Sequence, residues 1–133
     1  MMGVAMDGTA ARRTRMARGL TAWQAGRAAE DQVAEHYRRS GRPIVASRWR
    51  GEQGEIDLVA REGDAVIFIE VKRAETFAMA AERLSRRQMD RICSAASEFV
   101  ADEPEGQNTE MRFDVALVDG TGRIDIIENA IGF

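Results

Sequence analysis

Two carboxylates and one amine stand close together in the chain: Asp57 in GEIDLVA, then Glu70 and Lys72 in VIFIEVKR. Acidic oxygens with no histidine or cysteine nearby suit Mg²⁺ or Mn²⁺ and argue against zinc. Mg²⁺ held by one or two carboxylates keeps water and substrate phosphate in its other positions, and can activate that water against a phosphodiester. Lys72 could orient the water or stabilise the pentacovalent transition state. Neighbouring carboxylates keep it charged, which favours stabilisation. It is also the only lysine among 19 basic residues. In a chain that otherwise uses arginine, a lysine at this point marks a need for a compact ammonium in place of a planar guanidinium.

These groups need a sheet to make them converge. Residues 66–71, VIFIEV, are β-branched or aromatic at nearly every position, as in a strand covered on both faces. Glu70 and Lys72 then share a side with Val66 and Phe68. Residues 56–60 read as a preceding strand, and the Arg-Glu-Gly-Asp run at 61–64 as a hairpin connection. With a connection of two or four residues, Ala60 faces Ala65, Asp57 lies opposite Phe68, and Asp57 and Glu70 are diagonal neighbours about 7–8 Å apart. A three-residue connection separates them. The charge pattern favours the first register, where two carboxylates and an amine meet.

A chain of 133 residues, 44% hydrophobic and 31% charged, supports one globular domain with a single core. No run approaches the ~18 apolar residues of a membrane span, so no membrane partner is expected. The single cysteine, Cys93, has no internal disulfide partner. With no secretory signal legible, a cytoplasmic location is the expectation. The net charge of −3 is uneven: residues 1–20 hold Arg12, Arg13, Arg15 and Arg18 against Asp7 alone. They read as a disordered basic leader to a single domain over residues 21–133. A second basic stretch, acid-free between Glu35 and Glu52, makes Arg48 and Arg50, with Trp49 between them, candidates for nucleic-acid contact. The alternative is a solvated helix end and edge strand.

Thr21 is a candidate N-cap for a helix over residues 22–39, stopped by Ser40-Gly41 and Pro43. Its core stripe is Trp23, Gly26, Glu30, Val33, Ala34 and Tyr37. Glu30, inside that stripe, must find a cation, a proton or a hydrogen-bond donor; His36 lies off it and is assigned no chemistry. Residues 44–50 form a first strand, 74–80 a weakly patterned, mobile connection, and 81–101 a second long helix. Leu84, Gln88, Ile92, Ala95, Ala96 and Phe99 form that helix's stripe. Gln88 either positions water or phosphate, or is a hydrogen-bonded core amide; Arg83, Arg86, Arg87 and Arg91 flank it. A polar loop at 102–110 leads to strands at 112–118 and 124–127. The order αβββαββ predicts an α/β fold with a mixed central sheet flanked by helices.

Asp57 followed by Glu70-Val71-Lys72 resembles the D…ExK signature of the PD-(D/E)XK superfamily of restriction-endonuclease-like, metal-dependent nucleases. Glu30 resembles the extra acid of its resolvase-like members. GRAAEDQVAEHY, SRWRGEQGEIDLVA, IEVKR and RFDVALV together are similar to the bacterial YraN-like family, for which a nuclease fold is inferred, over residues 22–133. The resemblance implies a restriction-endonuclease-like fold, Mg²⁺ or Mn²⁺ as cofactor, and DNA as partner, with branched or damaged DNA among the candidate substrates. It implies Asp57 and Glu70 as metal ligands with the Val71 carbonyl as a further one, Lys72 as the catalytic lysine, Glu30 as an accessory acid, and Gln88 lining the site. The chain departs from the pattern at Ala74, where an arginine is usual, and at Arg87, where a lysine is usual. Arg73 and Arg87 are then the candidates to grip phosphate, although Arg73 points away from Lys72 on a regular strand. A noncatalytic nucleic-acid-binding or scaffold protein that keeps the fold is the alternative expectation. Enzymes that cut both strands commonly dimerise, so a homodimer is a further expectation, with no face assigned.

Overall fold

The computed structural model describes residues 8–131, with side chains from residue 19 onward. Its elements run α1 (Gly8–Arg39), β1 (Ile44–Arg50), β2 (Glu55–Glu62), β3 (Ala65–Arg73), α2 (Phe77–Glu82), α3 (Arg86–Val100), a 3-10 turn (Gly106–Asn108), β4 (Met111–Val118) and β5 (Ile124–Ile127). The strands form one sheet in the order β1-β2-β3-β4-β5. Neighbours are antiparallel except β3 and β4, which run parallel. A parallel pair needs a crossover, and α2 and α3 supply it. This is the α/β architecture with a mixed, helix-flanked sheet that the element order predicts.

Alternation along β3 divides the core. Val66 and Phe68 pack toward α3, against Ile92, Ala95, Ala96 and Val100. Ile67 and Ile69 pack toward α1, against Ala29, Val33, Ala34 and Tyr37. Each aliphatic or aromatic side chain so covered contributes about 1.5–3 kcal/mol. The two layers lock at Asp114 on β4, which is fully buried. Its carboxylate accepts from the Tyr37 hydroxyl (2.7 Å), from Arg112 Nε and Nη2 (2.9 and 3.0 Å) and from the Asn129 backbone N–H (3.0 Å).

Two helices depart from the sequence expectation. α1 begins at Gly8, so Thr21 lies inside it and is no cap. Of the leader expected over 1–20, residues 1–7 lie outside the described residues and the rest continue α1. Ala, Arg and Met are strong helix formers, and no proline interrupts before Pro43. Trp23 keeps the phase of the core stripe but is 56% exposed, because α1 runs on past the sheet. The second helix comes in two pieces. Thr76 Oγ1 caps α2 by accepting from Met79 N, and Ser85 Oγ caps α3 by accepting from Gln88 N (both 3.1 Å). Serine competes for backbone donors inside a helix and is favoured at its start, so Ser85 divides what reads as one element. The segment expected as a mobile connection, 74–80, carries the buried Ala74 and Ala80 and the first turn of α2.

Candidate functional site

β2 and β3 are joined by a two-residue turn, Gly63-Asp64, closed by the pair Glu62 and Ala65. Gly63 has φ +61°, the left-handed value that a Gly-first hairpin turn requires. The register therefore differs by two residues from the one expected: Ala60 faces Ile67, and the last paired position is Leu58 with Ile69. One step beyond, Asp57 comes directly opposite Glu70. A shift of two preserves the facing of every side chain, so the two acids still share a side and are closer than diagonal neighbours.

The sheet opens at that step. The Val71 N–H donates to Asp57 Oδ2 at 2.8 Å, replacing a backbone partner with a carboxylate. On the other side of β2, Arg48 lies between the pairs Ser47 with Leu58 and Trp49 with Ile56, and so across from Asp57. Its φ is +51°, a conformation that costs a non-glycine residue about 1 kcal/mol or more. The kink brings Arg48 Nε within 3.1 Å of Glu30 Oε1 on α1. That guanidinium is the cation the Glu30 position demands.

Glu70 is buried and both of its protein donors fall on one oxygen: Gln88 Nε2 donates to Oε1 at 3.0 Å, and Lys72 Nζ lies 3.1 Å from the same atom. The carboxyl groups of Asp57 and Glu70 are within hydrogen-bonding reach of each other. Burial, and then the Asp57 charge, push the Glu70 carboxyl up to about 8, against the pull of Lys72. Burial likewise raises Asp57, with the Val71 N–H opposing. Glu30 is raised by burial, with the Arg48 bond opposing and Asp57 adding to the rise. Three acids thus crowd one region, and Asp57 and Glu70 act directly on each other.

Asp57, Glu70 and Gln88 line a cleft of about 470 Å³ between the 51–54 loop and α3, with Arg50 and Arg91 at its rim. Among the described residues no three acidic, thiol or imidazole groups are disposed to cage a metal. Apart from each other, Asp57 Oδ1 and Glu70 Oε2 have no protein hydrogen-bond partner there. Two carboxylates with one open oxygen each, facing a cleft, fit an ion that fills its remaining positions with water and phosphate. Asp57 and Glu70 would hold it, with the backbone at Val71 adjacent.

The other residues singled out in the sequence fall around this point. Arg48 is committed to Glu30. Arg50 is exposed and sits 3.6 Å from Glu55. Arg73 and Arg87 are exposed at the ends of β3 and α3. Arg91, which the sequence shows only as flanking Gln88, stands at the rim one turn beyond it on the same helix. The Gly51 to Gly54 loop was missed. A Cβ at Gly51 would collide with the Glu98 carboxylate and come within 2.9 Å of the Trp49 ring.

Comparison with known proteins gives a consistent result. A model of the uncharacterised protein family UPF0102 matches residues 29–118. A UPF0102 protein of Cereibacter sphaeroides is 65% identical over 112 residues, 84% of this chain and 96% of the relative. One from Ruegeria pomeroyi is 59% identical over 115 residues, 86% and 94% of the two chains. One from Dinoroseobacter shibae is 44% identical over 117 residues, 88% and 87%.

Proposed function

The chain belongs to the uncharacterised protein family UPF0102, and from its site we propose that it is a divalent-metal-dependent phosphodiesterase of the restriction-endonuclease-like kind, acting on DNA. One observation carries the reading. Asp57 and Glu70, on neighbouring strands, line one cleft beside Lys72, with an oxygen on each that no other protein group donates to. Like charges pressed together out of water raise the energy of the dianionic form, and a hard cation relieves it.

Mg²⁺ or Mn²⁺ would supply Lewis acidity and a bound water that loses its proton more readily. The chain's own residues orient and stabilise. Gln88 and Lys72 fix Glu70 through Oε1, and the Val71 N–H fixes Asp57 through Oδ2, so both carboxylates are held before any ligand arrives. The Lys72 ammonium, 3.1 Å from Glu70 Oε1, would stabilise negative charge growing on a phosphorus-bound oxygen. Glu30, held by Arg48 and raised by burial, is a base near Asp57 that can take a proton from an attacking water.

The test is a panel of linear, nicked and four-way DNAs incubated with Mg²⁺ or Mn²⁺, with Asp57→Ala and Glu70→Ala as controls. Cutting should require the metal and vanish in both variants. Cutting that survives either substitution, or no cutting of any DNA, rejects the proposal.

A further inference from the structure

A second cleft, of about 430 Å³, opens on the α1 side of the same site. Gly26 and Ala29 of α1 form part of its wall, and Lys72, Arg73 and Arg83 face them from the end of β3 and the end of α2. Its two arginines are unlike most of those elsewhere among the described residues. Nine of the arginines with described side chains lie within 4 Å of a carboxylate. Among the described residues, Arg27, Arg73, Arg83, Arg87 and Arg91 do not, and all five are grouped around the two clefts or on the adjoining turns of α1 and α3. Arg83 is nevertheless fixed: its Nη1 donates to the Arg73 carbonyl at 3.0 Å. A guanidinium has five donors, so this anchor leaves others for a ligand.

The helix above the cleft adds a second feature. On a helical wheel, residues 23, 26 and 30 fall within about 60° of one another, so the stripe that buries Val33 and Tyr37 continues through Glu30 and Gly26 to Trp23. Seven residues place Trp23 about 10 Å from Glu30 along the axis. Beyond the sheet the ring stays 56% exposed, with the Arg27 guanidinium 5.3 Å from its centroid. From Gly8 to Ala29 the helix contains no acid, and it carries Arg12, Arg13, Arg15, Arg18 and Arg27. An exposed indole beside unpaired arginines, leading to a cluster of acids and a lysine, matches a ligand with a phosphate backbone and free aromatic faces.

We infer that this cleft and the turn of α1 above it bind a nucleic-acid strand with unpaired bases, Arg73 and Arg83 gripping its phosphates and Trp23 stacking on a base. The inference deepens the phosphodiesterase reading, and rests on it for the strand's path toward Asp57 and Glu70. It narrows the substrate to DNA or RNA with a single-stranded segment next to the scissile bond. Stacking tolerates any base, so recognition is of strandedness and not of sequence.

Binding is measured by fluorescence anisotropy in EDTA, where no metal-dependent cutting occurs, using a labelled oligothymidine and a blunt duplex. The whole chain should prefer the single strand. Trp23→Ala should weaken single-strand binding roughly tenfold and leave duplex binding nearly unchanged, with Trp23→Phe retaining most of the affinity. Arg73→Ala and Arg83→Ala should weaken both and flatten the salt dependence by about one ion each. These side chains are exposed, and circular dichroism checks that the variants fold. Equal loss for the two DNA forms in Trp23→Ala, or an unchanged salt slope in Arg83→Ala, overturns the assignment. Loss of binding to phosphatidylserine vesicles in Trp23→Ala, with no oligothymidine binding by the parent chain, overturns it in favour of a membrane surface. If Trp23→Ala leaves single-strand affinity intact while metal-dependent cutting persists, the inference fails and the phosphodiesterase reading stands. If binding behaves as expected but no DNA is cut, the reverse holds.

Discussion

Metal binding at this site should expel a proton, and the structure sets how many. With Glu70 pushed up to about 8 by burial and by Asp57, the metal-free pair holds close to one proton at pH 7. An ion held by Asp57 and Glu70 would need both deprotonated, so each Mg²⁺ bound at pH 7 should release roughly one proton. The apparent affinity should climb about tenfold per pH unit between pH 6 and 8 and level off above that range. Isothermal titration at pH 7 in two buffers of different ionisation enthalpy counts the proton directly, and repeats at pH 6 and 8 give the slope. Stability follows from the same shift. A carboxyl raised from its ordinary 4.5 to about 8 on folding favours the folded state fully below about 4.5, and that contribution is lost as pH rises through about 8. Metal-free protein should therefore lose stability relative to Glu70→Gln between pH 5 and 8, by an amount on the order of a few kcal/mol. Saturating Mg²⁺ should restore it. Heats that do not depend on the buffer, or an affinity flat from pH 6 to 8, would refute the claim that a shared proton and the ion compete for Asp57 and Glu70.

Three further outcomes are expected. Lys72→Met should retain Mg²⁺ binding by calorimetry while turnover on the cleaved DNA falls roughly 10²–10³-fold, since it removes charge stabilisation and leaves the metal ligands in place. Tyr37→Phe should lower urea stability by about 1.5–3 kcal/mol and Asp114→Ala by about 3–5 kcal/mol, because the second leaves Arg112, the Tyr37 hydroxyl and the Asn129 N–H without their acceptor. Neither should abolish metal binding in the fraction that is folded. Gly51→Ala should displace the 51–54 loop, because the Trp49 ring packs edge-on to Phe99 and has little room to yield. Amide exchange at residues 51–54 should speed up, with α1 unaffected.

The strands were legible because β3 is so uniformly apolar that only a sheet buried on both faces accommodates it. The same reading marked Glu70 as out of place there. The hairpin's parity could be read, but its length could not: Arg61 and Glu62, polar enough for a loop, extend β2, and the turn shrinks to Gly63-Asp64. Periodicity gives the phase of a helix and says nothing about where its partner ends. Trp23 thus has the phase of a core residue and the exposure of a surface one. Ser85 has a helix-interior position by pattern, and only the backbone shows it as a cap. Arg48 stood out as one charge in a basic run. Its left-handed backbone and its hold on Glu30 depend on where β1 crosses Asp57, a relation between distant residues that no local pattern encodes.

The Gly63-Asp64 turn also constrains how this lineage can vary in length. Adding or deleting one residue there would shift β3 by one step against β2, turning Glu70 away from Asp57 and Val71 into its place. The mostly exposed stretch 104–107 lies outside that ladder, which β4 enters only where the Glu110 carbonyl accepts from the Val66 N–H at 2.9 Å. Viable indels should therefore accumulate at 104–107 and be purged from 63–64, so the short hairpin acts as a ruler that heredity cannot lengthen by a single unit.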